Sequence, residues 1–400
     1  MPHQSRTEAT FTPPVPEAKR WIEGVTFPPG RPLLNVSQAA PVDPPPPALR
    51  KAMAEAIERP ETHLYGPVLG LPALRAALAK DWSAHYGAEV SPGRVAITAG
   101  CNQAFAATLA ALCGEGDEVL LPTPWYFNHK MWLDMQGVVT VPLPTDDALL
   151  PDAETARALI TPRTRAIVLV SPNNPGGVEY PAETVGALYD LARAHGLRLI
   201  VDETYKDFDS RSGPPHDLLS REGHETTLIQ LYSFSKAYRL TGHRVGALLA
   251  DPALLSEIEK FQDTVAICPP QLGQIAALWG LENLSQWVAQ ERDEILDRGR
   301  AIAEQMPKLE AKGWRLKGLG AYFAYLEHPF AESSDVLGPR MVRDAGVLAL
   351  PGTMFVPATD PAGARHFRLA FANIDRAGIA ELFDRLAALD WPLAGPDGPA

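Results

Sequence analysis

The chain has 400 residues, 46% hydrophobic and 21% charged, a balance that suits a globular protein of two domains, or one large domain with an appendage. Its net charge of −12 argues against nucleic acid or an anionic membrane as the main partner, while allowing a locally basic pocket. No run approaches the ~20 unbroken apolar residues of a membrane span, the opening MPHQSRTEATFTPPVPEAKR lacks a secretory apolar core, and Cys101, Cys113 and Cys268 form neither a CxxC pair nor a metal-ligand set. The expectation is a cytoplasmic protein with reduced thiols and no metal.

In chain order, the first dozen residues and the closing GPDGPA read as frayed ends. The proline-rich passage Pro41 to Pro47 reads as an extended connector, because each proline disfavours helix in the residue before it. Between about residues 70 and 250, apolar strand-like runs recur at RVAIT (94–98), DEVLLP (117–122), AIVLVS (166–171), LRLIVDE (197–203), TLIQLYS (227–233) and VGALLA (245–250). Segments with helical periodicity lie between several of them, such as 102–112 and 181–196. Short apolar strands separated by helices predict an α/β fold whose mostly parallel sheet is covered on both faces. A long helix near 285–312, strands near 321–326 and 366–371 and a last helix near 376–389 predict a smaller α+β domain. The expected division is 1–46 as an N-terminal arm with part of the small domain, 47–285 as the large domain, and 286–400 as the C-terminal small domain.

Open α/β sheets bind ligands beyond the carboxyl ends of their strands. Four predicted strand ends carry polar or glycine-rich sequence: TAGCNQ, SPNNPGG, VDETY and SFSK. In SFSKAYRLTGHR, Lys236 directly follows a strand, Ser233 and Ser235 flank it, and Arg244 follows eight residues later. A lysine beside a cation and partly buried has a lowered pKa and becomes nucleophilic. Serine hydroxyls and an arginine fork suit a phosphate. Gly100, Cys101 and Asn102 stand at a strand-to-helix junction, where free backbone N–H groups favour an anion.

The segment SFSKAYRLTGHRVGAL resembles the lysine motif of the class I/II aminotransferases, pyridoxal-phosphate (PLP) enzymes of fold type I. SPNNPGG, VDETY and FRLAFA (367–372) resemble that family's asparagine-proline turn, aspartate-tyrosine strand end and carboxylate-binding arginine, in the same order. The resemblance implies PLP as cofactor, with Lys236 as Schiff-base lysine and proton shuttle. Asp202 would face the ring nitrogen, Asn174 and Tyr205 the ring oxygen, and Tyr126 would stack on the ring, with His129 contacting the aspartate. Gly100, Cys101, Asn102, Ser233, Ser235 and Arg244 would form the phosphate cup. Arg368 would clamp the substrate α-carboxylate, and Ala39, in SQAAP, would sit in a loop closing over substrate. HLYGPVLGLPALR (63–75) resembles the segment whose tyrosine, here Tyr65, reaches the partner's phosphate, which implies a homodimer with shared sites.

The implied reaction is ping-pong transfer of an amino group between an L-amino acid and a 2-oxo acid. The same scaffold also serves C–S β-lyases, cyclopropane-forming synthases and amino-acid oxidases, so reaction type rests partly on fold analogy. Where dicarboxylate-specific members can supply a second arginine from the neighbouring subunit, a few residues before a Pro-Pro pair, counting back from Pro269–Pro270 gives Asp263, which points toward neutral, aromatic or cationic side chains. Related domains also act as ligand sensors fused to a DNA-binding module; no basic N-terminal helix-turn-helix is present here to support that reading.

Overall fold

A computed structural model describes residues 4–395. Seven strands form the main sheet: β1 (Val95–Thr98), β2 (Glu118–Thr123), β3 (Val139–Pro144), β4 (Thr164–Val170), β5 (Arg198–Asp202), β6 (Leu228–Ser233) and β7 (Gly246–Leu249). Their order is β1-β7-β6-β5-β4-β2-β3, and all neighbours are parallel except β7, which runs antiparallel to both β1 and β6.

The apolar runs are continuous because both faces of the sheet are covered. Alternate residues serve opposite cores: Val119, Leu121, Val168 and Ile200 pack with Phe105 and Leu109 of helix Cys101–Leu112, while Leu120, Ile167, Leu169 and Leu199 pack with Trp82, Leu188 and Tyr189. The carboxyl ends of β4, β5 and β6 therefore emerge side by side at one edge, and the next residues build the site.

A second, antiparallel sheet contains β8 (Arg315–Gly320), β9 (Phe323–Glu327), β10 (Leu350–Pro351) and β11 (His366–Ala370) in the order β10-β11-β9-β8. Helices Ser285–Glu310, Ser334–Ala345 and Arg376–Ala387 accompany it. Leu34–Asn35 pairs in parallel with Val347–Leu348, which ties the N-terminal stretch to this part of the molecule.

The structure corrects three expectations. Residues 4–20 are not frayed: Ser5 and Glu8 form a capping box for helix Arg6–Ala9, and Arg6 binds Glu115 at 2.6 Å and the Gln136 carbonyl at 3.0 Å. A second helix, Pro14–Arg20, then buries Ala18 completely among Phe127 and Phe355. Strands β3 and β8 were absent from the sequence reading. β3 (VTVPLP) is an edge strand with a largely exposed burial pattern, and its two prolines are tolerated only at an edge. β8 carries two glycines, which weaken any strand signal. The part of GPDGPA beyond Gly395 lies outside the described residues. No helix among the described residues is long and apolar enough to cross a membrane.

Candidate active site

A cavity of about 530 Å³ opens where β4, β5 and β6 end. Lys236, Asp202, Tyr205, Asn174, Tyr126, Arg244 and Arg368 all line it, although they span 243 positions of sequence, from 126 to 368 inclusive. Cys101, Asn102, Ser233, Ser235 and Ala39 line it as well.

Asp202 is the last residue of β5 and is buried. Burial alone would raise its pKa, but His129 and Thr204 outweigh that cost and hold it below the usual aspartate value. The Thr204 N–H donates to Oδ1 at 3.0 Å, and His129 Nε2 lies 3.2 Å from Oδ2, too far out of line to count as a well-formed hydrogen bond. The His129 ring is held by Phe105, stacked at a centroid distance of 3.9 Å, and by the edge of Tyr126 at 5.0 Å. The Cys101 thiol reaches Asp202 Oδ1 at 3.6 Å, and burial pushes its pKa well up, so it stays a thiol.

Lys236 sits in the short helix Phe234–Ala237 directly after β6. Its Nζ donates to the Ala39 carbonyl at 2.5 Å and lies 5.8 Å from the Tyr205 ring centre. Burial first, then Arg244 and Arg368, lower its pKa to about 8. An appreciable neutral fraction near neutral pH is what a nucleophilic amine requires.

The anion-facing groups come from three places. Gly100 precedes helix Cys101–Leu112 with φ +88°, and a Cβ there would lie 2.1 Å from Arg244 Nη2, so the arginine lies flat against a position that only glycine fits. Arg244 donates to Ser235 Oγ at 3.4 Å and to the Thr241 carbonyl at 3.0 Å. The Ser233 hydroxyl accepts from the Ser235 N–H at 3.2 Å. Asn102 is exposed at the rim; the Tyr126 hydroxyl donates to its Oδ1 at 3.4 Å and accepts from Asn128 Nδ2 at 2.7 Å. Burial pushes the Tyr126 hydroxyl up to about 12 and the Tyr205 hydroxyl well above its ordinary value.

Arg368, on β11, is 2% exposed. It donates to Asn174 Oδ1 at 2.9 Å and to the Ser37 carbonyl, and it packs between the rings of Phe323 and Phe355, each centred 5.1 Å from the guanidinium carbon. Its Nε has no partner, and among the described residues no carboxylate lies within ion-pair distance. Burial lowers its pKa to about 10, still charged at neutral pH. A buried guanidinium without a counter-ion costs several kcal/mol, a cost that an anion bound from outside would relieve.

Tyr65 does not join this constellation. It is 78% exposed and does not line the cavity within its own chain. Conversely, Thr204, Asn128, Gln38 and the N-terminal residues Pro13, Val15, Pro16 and Lys19 line the cavity without having been expected there. Thr204 lies inside VDETY and could have been read as the turn N–H for Asp202. Nothing in the proline-rich N-terminus signals its approach to the site.

A model of the aminotransferase class I and II family matches residues 31–386. The chain belongs to that family. It is 30% identical over 345 residues to the aspartate/prephenate aminotransferase of Thermus thermophilus, covering 85% of each chain. It is 32% identical over 322 residues to the aromatic aminotransferase ISS1 of Arabidopsis thaliana, covering 77% of this chain and 78% of the relative. Among solved structures, aspartate aminotransferase from Thermus thermophilus superposes with a TM-score of 0.84 at 27% identity, covering 97% of this chain and 99% of the other. Substrate-bound BacF from Bacillus subtilis gives 0.86 at 25% identity, covering 99% and 100%. This aminotransferase is thus a PLP-dependent transaminase, with the expected helix-covered, mostly parallel sheet and its antiparallel companion.

Proposed function

We propose that this aminotransferase holds PLP between Asp202 and Lys236 and exchanges amino groups between an L-amino acid and a 2-oxo acid, with Arg368 fixing the α-carboxylate. The observation that carries this reading is Arg368, buried and charged, without a carboxylate partner, in the same cavity as a lysine whose pKa is lowered to about 8.

The donor set fits the cofactor. Gly100, the start of helix Cys101–Leu112, Ser233, Ser235 and Arg244 would hold the phosphate, since they gather N–H, hydroxyl and guanidinium groups with no carboxylate among them. Asp202, kept ionised, would hold a proton on the ring nitrogen. Asn174 and Tyr205 would face the ring oxygen, and Tyr126 the ring face. PLP, when bound, supplies an electron sink for the substrate Cα. Lys236 would take and return the Cα proton, a role supported by its half-buried Nζ and its pKa lowered to about 8. Arg368 orients the substrate by two parallel hydrogen bonds, which selects the bond to be broken. The Ala39 carbonyl, now occupied by Lys236 Nζ, belongs to the loop proposed to close over substrate.

The active unit is proposed to be a homodimer. Leu64, Tyr65, Val265 and Ile267 are large apolar or aromatic side chains left exposed, and Gln271 and Cys268 bind the 64–66 backbone beside them, so the four share one surface region. The three cysteines are unpaired among the described residues, which suits a reducing cytoplasm.

The visible spectrum of the purified protein tests the reading. A yellow band that bleaches with an amino acid, returns with a 2-oxo acid and is lost in Lys236→Ala is the expected result. Pyruvate and ammonia released from one substrate would reassign it as a β-lyase, and oxygen-dependent turnover as an oxidase. Failure to bind PLP would overturn the proposal.

A further inference from the structure

The side of β5 turned away from the cavity carries a buried polar cluster that the reading above leaves without a role. Asp202, Thr204 and Tyr205 line the cavity, whereas Glu203 and Lys206, interleaved with them, do not. Glu203 is 3% exposed and continues the face of Leu199 and Val201, which pack in the core with Trp82 and Tyr86. Three donors from three places reach its carboxylate: the Tyr86 hydroxyl at the end of helix Pro72–Tyr86 at 2.5 Å, Gln230 Nε2 of β6 at 2.7 Å, and His216 Nε2 at 3.0 Å. His216 Nδ1 accepts the Leu218 N–H at 3.4 Å, which leaves the ring proton on Nε2, and the ring stacks on Tyr86 with centroids 5.1 Å apart. Burial alone would raise the Glu203 pKa, but His216, Tyr86 and Lys206 outweigh it and hold the carboxylate ionised.

Lys206 secures the other end of the same turn. Its N–H donates to the Glu203 carbonyl at 3.0 Å, and its buried ammonium pairs with Asp207 at 3.1 Å, over the Tyr232 ring. The Tyr232 hydroxyl of β6 donates to Asp207 Oδ2 at 2.7 Å. The turn is thus pinned from behind at both ends, while Thr204 and Tyr205 between them, and Asp202 just before, face the cavity. An apolar side chain would support a strand end at lower cost than a buried, ionised carboxylate. What the carboxylate adds is a fixed geometry, set by three directional bonds.

We propose that Glu203 is a positioning residue for the reaction: held by Tyr86, Gln230 and His216, it fixes the turn that presents Asp202 and Tyr205 to the cofactor. The inference rests on the PLP reading of the site. A Tyr205 hydroxyl donating to the ring oxygen competes with the proton whose loss changes the visible band, so loosening that hydroxyl lets the proton stay on to higher pH. Arg368, on β11, and its partner Asn174 are untouched, so substrate binding is spared.

The test compares the PLP-loaded wild type with Glu203→Gln and with Tyr86→Phe, which removes one donor outside the cavity. The readouts are the pH midpoint of the visible band, kcat and KM with an amino acid that bleaches it, and the melting temperature. Glu203→Gln keeps the shape but leaves three donors around a single amide oxygen. Its midpoint is expected to rise by about half a pH unit or more and its kcat to fall about ten-fold, with KM within about two-fold of the wild type. Tyr86→Phe should move midpoint and kcat the same way by less, and it decides alone if Glu203→Gln does not fold. A midpoint that stays or falls, or a lowered melting temperature with band and kcat unchanged, would overturn the proposal. A wild type that binds no PLP, or that no amino acid bleaches, would instead sink the site reading on which it rests.

Discussion

Arg368 shows how a single residue can trade stability for function. Its guanidinium has two hydrogen bonds, two flanking rings and, among the described residues, no counter-ion, so the fold carries a desolvation cost that the proposed substrate carboxylate would relieve. Arg368→Met is expected to lower kcat/KM by about 100-fold or more, since two charge-assisted hydrogen bonds are lost. The same variant, without ligands, should melt about 1–2 °C higher than the wild type. A melting scan beside steady-state kinetics checks both halves, and a variant that loses activity and stability together would point to a merely structural arginine. Lys236 makes a companion prediction in pH. Below about 8 its amine is protonated and cannot attack an aldehyde; above that it is free. The rate at which the cofactor-free protein takes up PLP should therefore rise with pH and level off above about 8. Because the folded pKa lies below the unfolded one, the cost of burying this charge is fully present below about pH 8. It fades as pH climbs toward the ordinary lysine value, so stability attributable to Lys236 rises over that window. A profile that is flat from pH 6 to 10 would contradict the assignment.

At the scale of elements, the site is made where buried strands stop. β5 ends on Asp202, β6 is followed by Lys236, and the turn after β4 presents Asn174, so parallel neighbours bring together residues far apart in sequence. This was legible in the sequence because a strand buried on both faces writes an unbroken apolar run, and the polar residue ending it stands out. The legibility fails where burial fails. β3 lies at the exposed edge and contains Pro142 and Pro144, so it lacks the apolar run that marked its neighbours. Helix Pro14–Arg20 has only seven residues, two of them fully buried or nearly so, too short a pattern to reveal that it borders the cavity. Gly100 joins one such strand to its helix, and its consequence can be measured. Gly100→Ala forces a methyl into the space of the Arg244 fork while keeping a left-handed φ that alanine resists. The expected result is a loss of PLP affinity of about ten-fold or more with the fold retained, read by cofactor titration and circular dichroism. An unchanged affinity would remove Arg244 from the phosphate cup.

At the scale of the whole molecule, the proposed homodimer rests on one exposed region of the surface. Tyr65 is 78% exposed, and Leu64, Val265 and Ile267 expose apolar area in the same region, which supports the proposed contact with a second copy. Two copies related by a two-fold axis would bury that region against itself and could bring each Tyr65 to the other's phosphate cup. The two effects are separable. Ile267→Glu places a charge in the proposed contact and should shift the protein from dimer to monomer by sedimentation, with PLP affinity and transamination falling together. Tyr65→Phe removes only the hydroxyl, so the dimer should persist while PLP affinity drops by about five-fold, the value of one hydrogen bond. If the wild type sediments as a monomer and still turns over, Tyr65 is an ordinary surface residue and the cavity of a single chain is sufficient for catalysis.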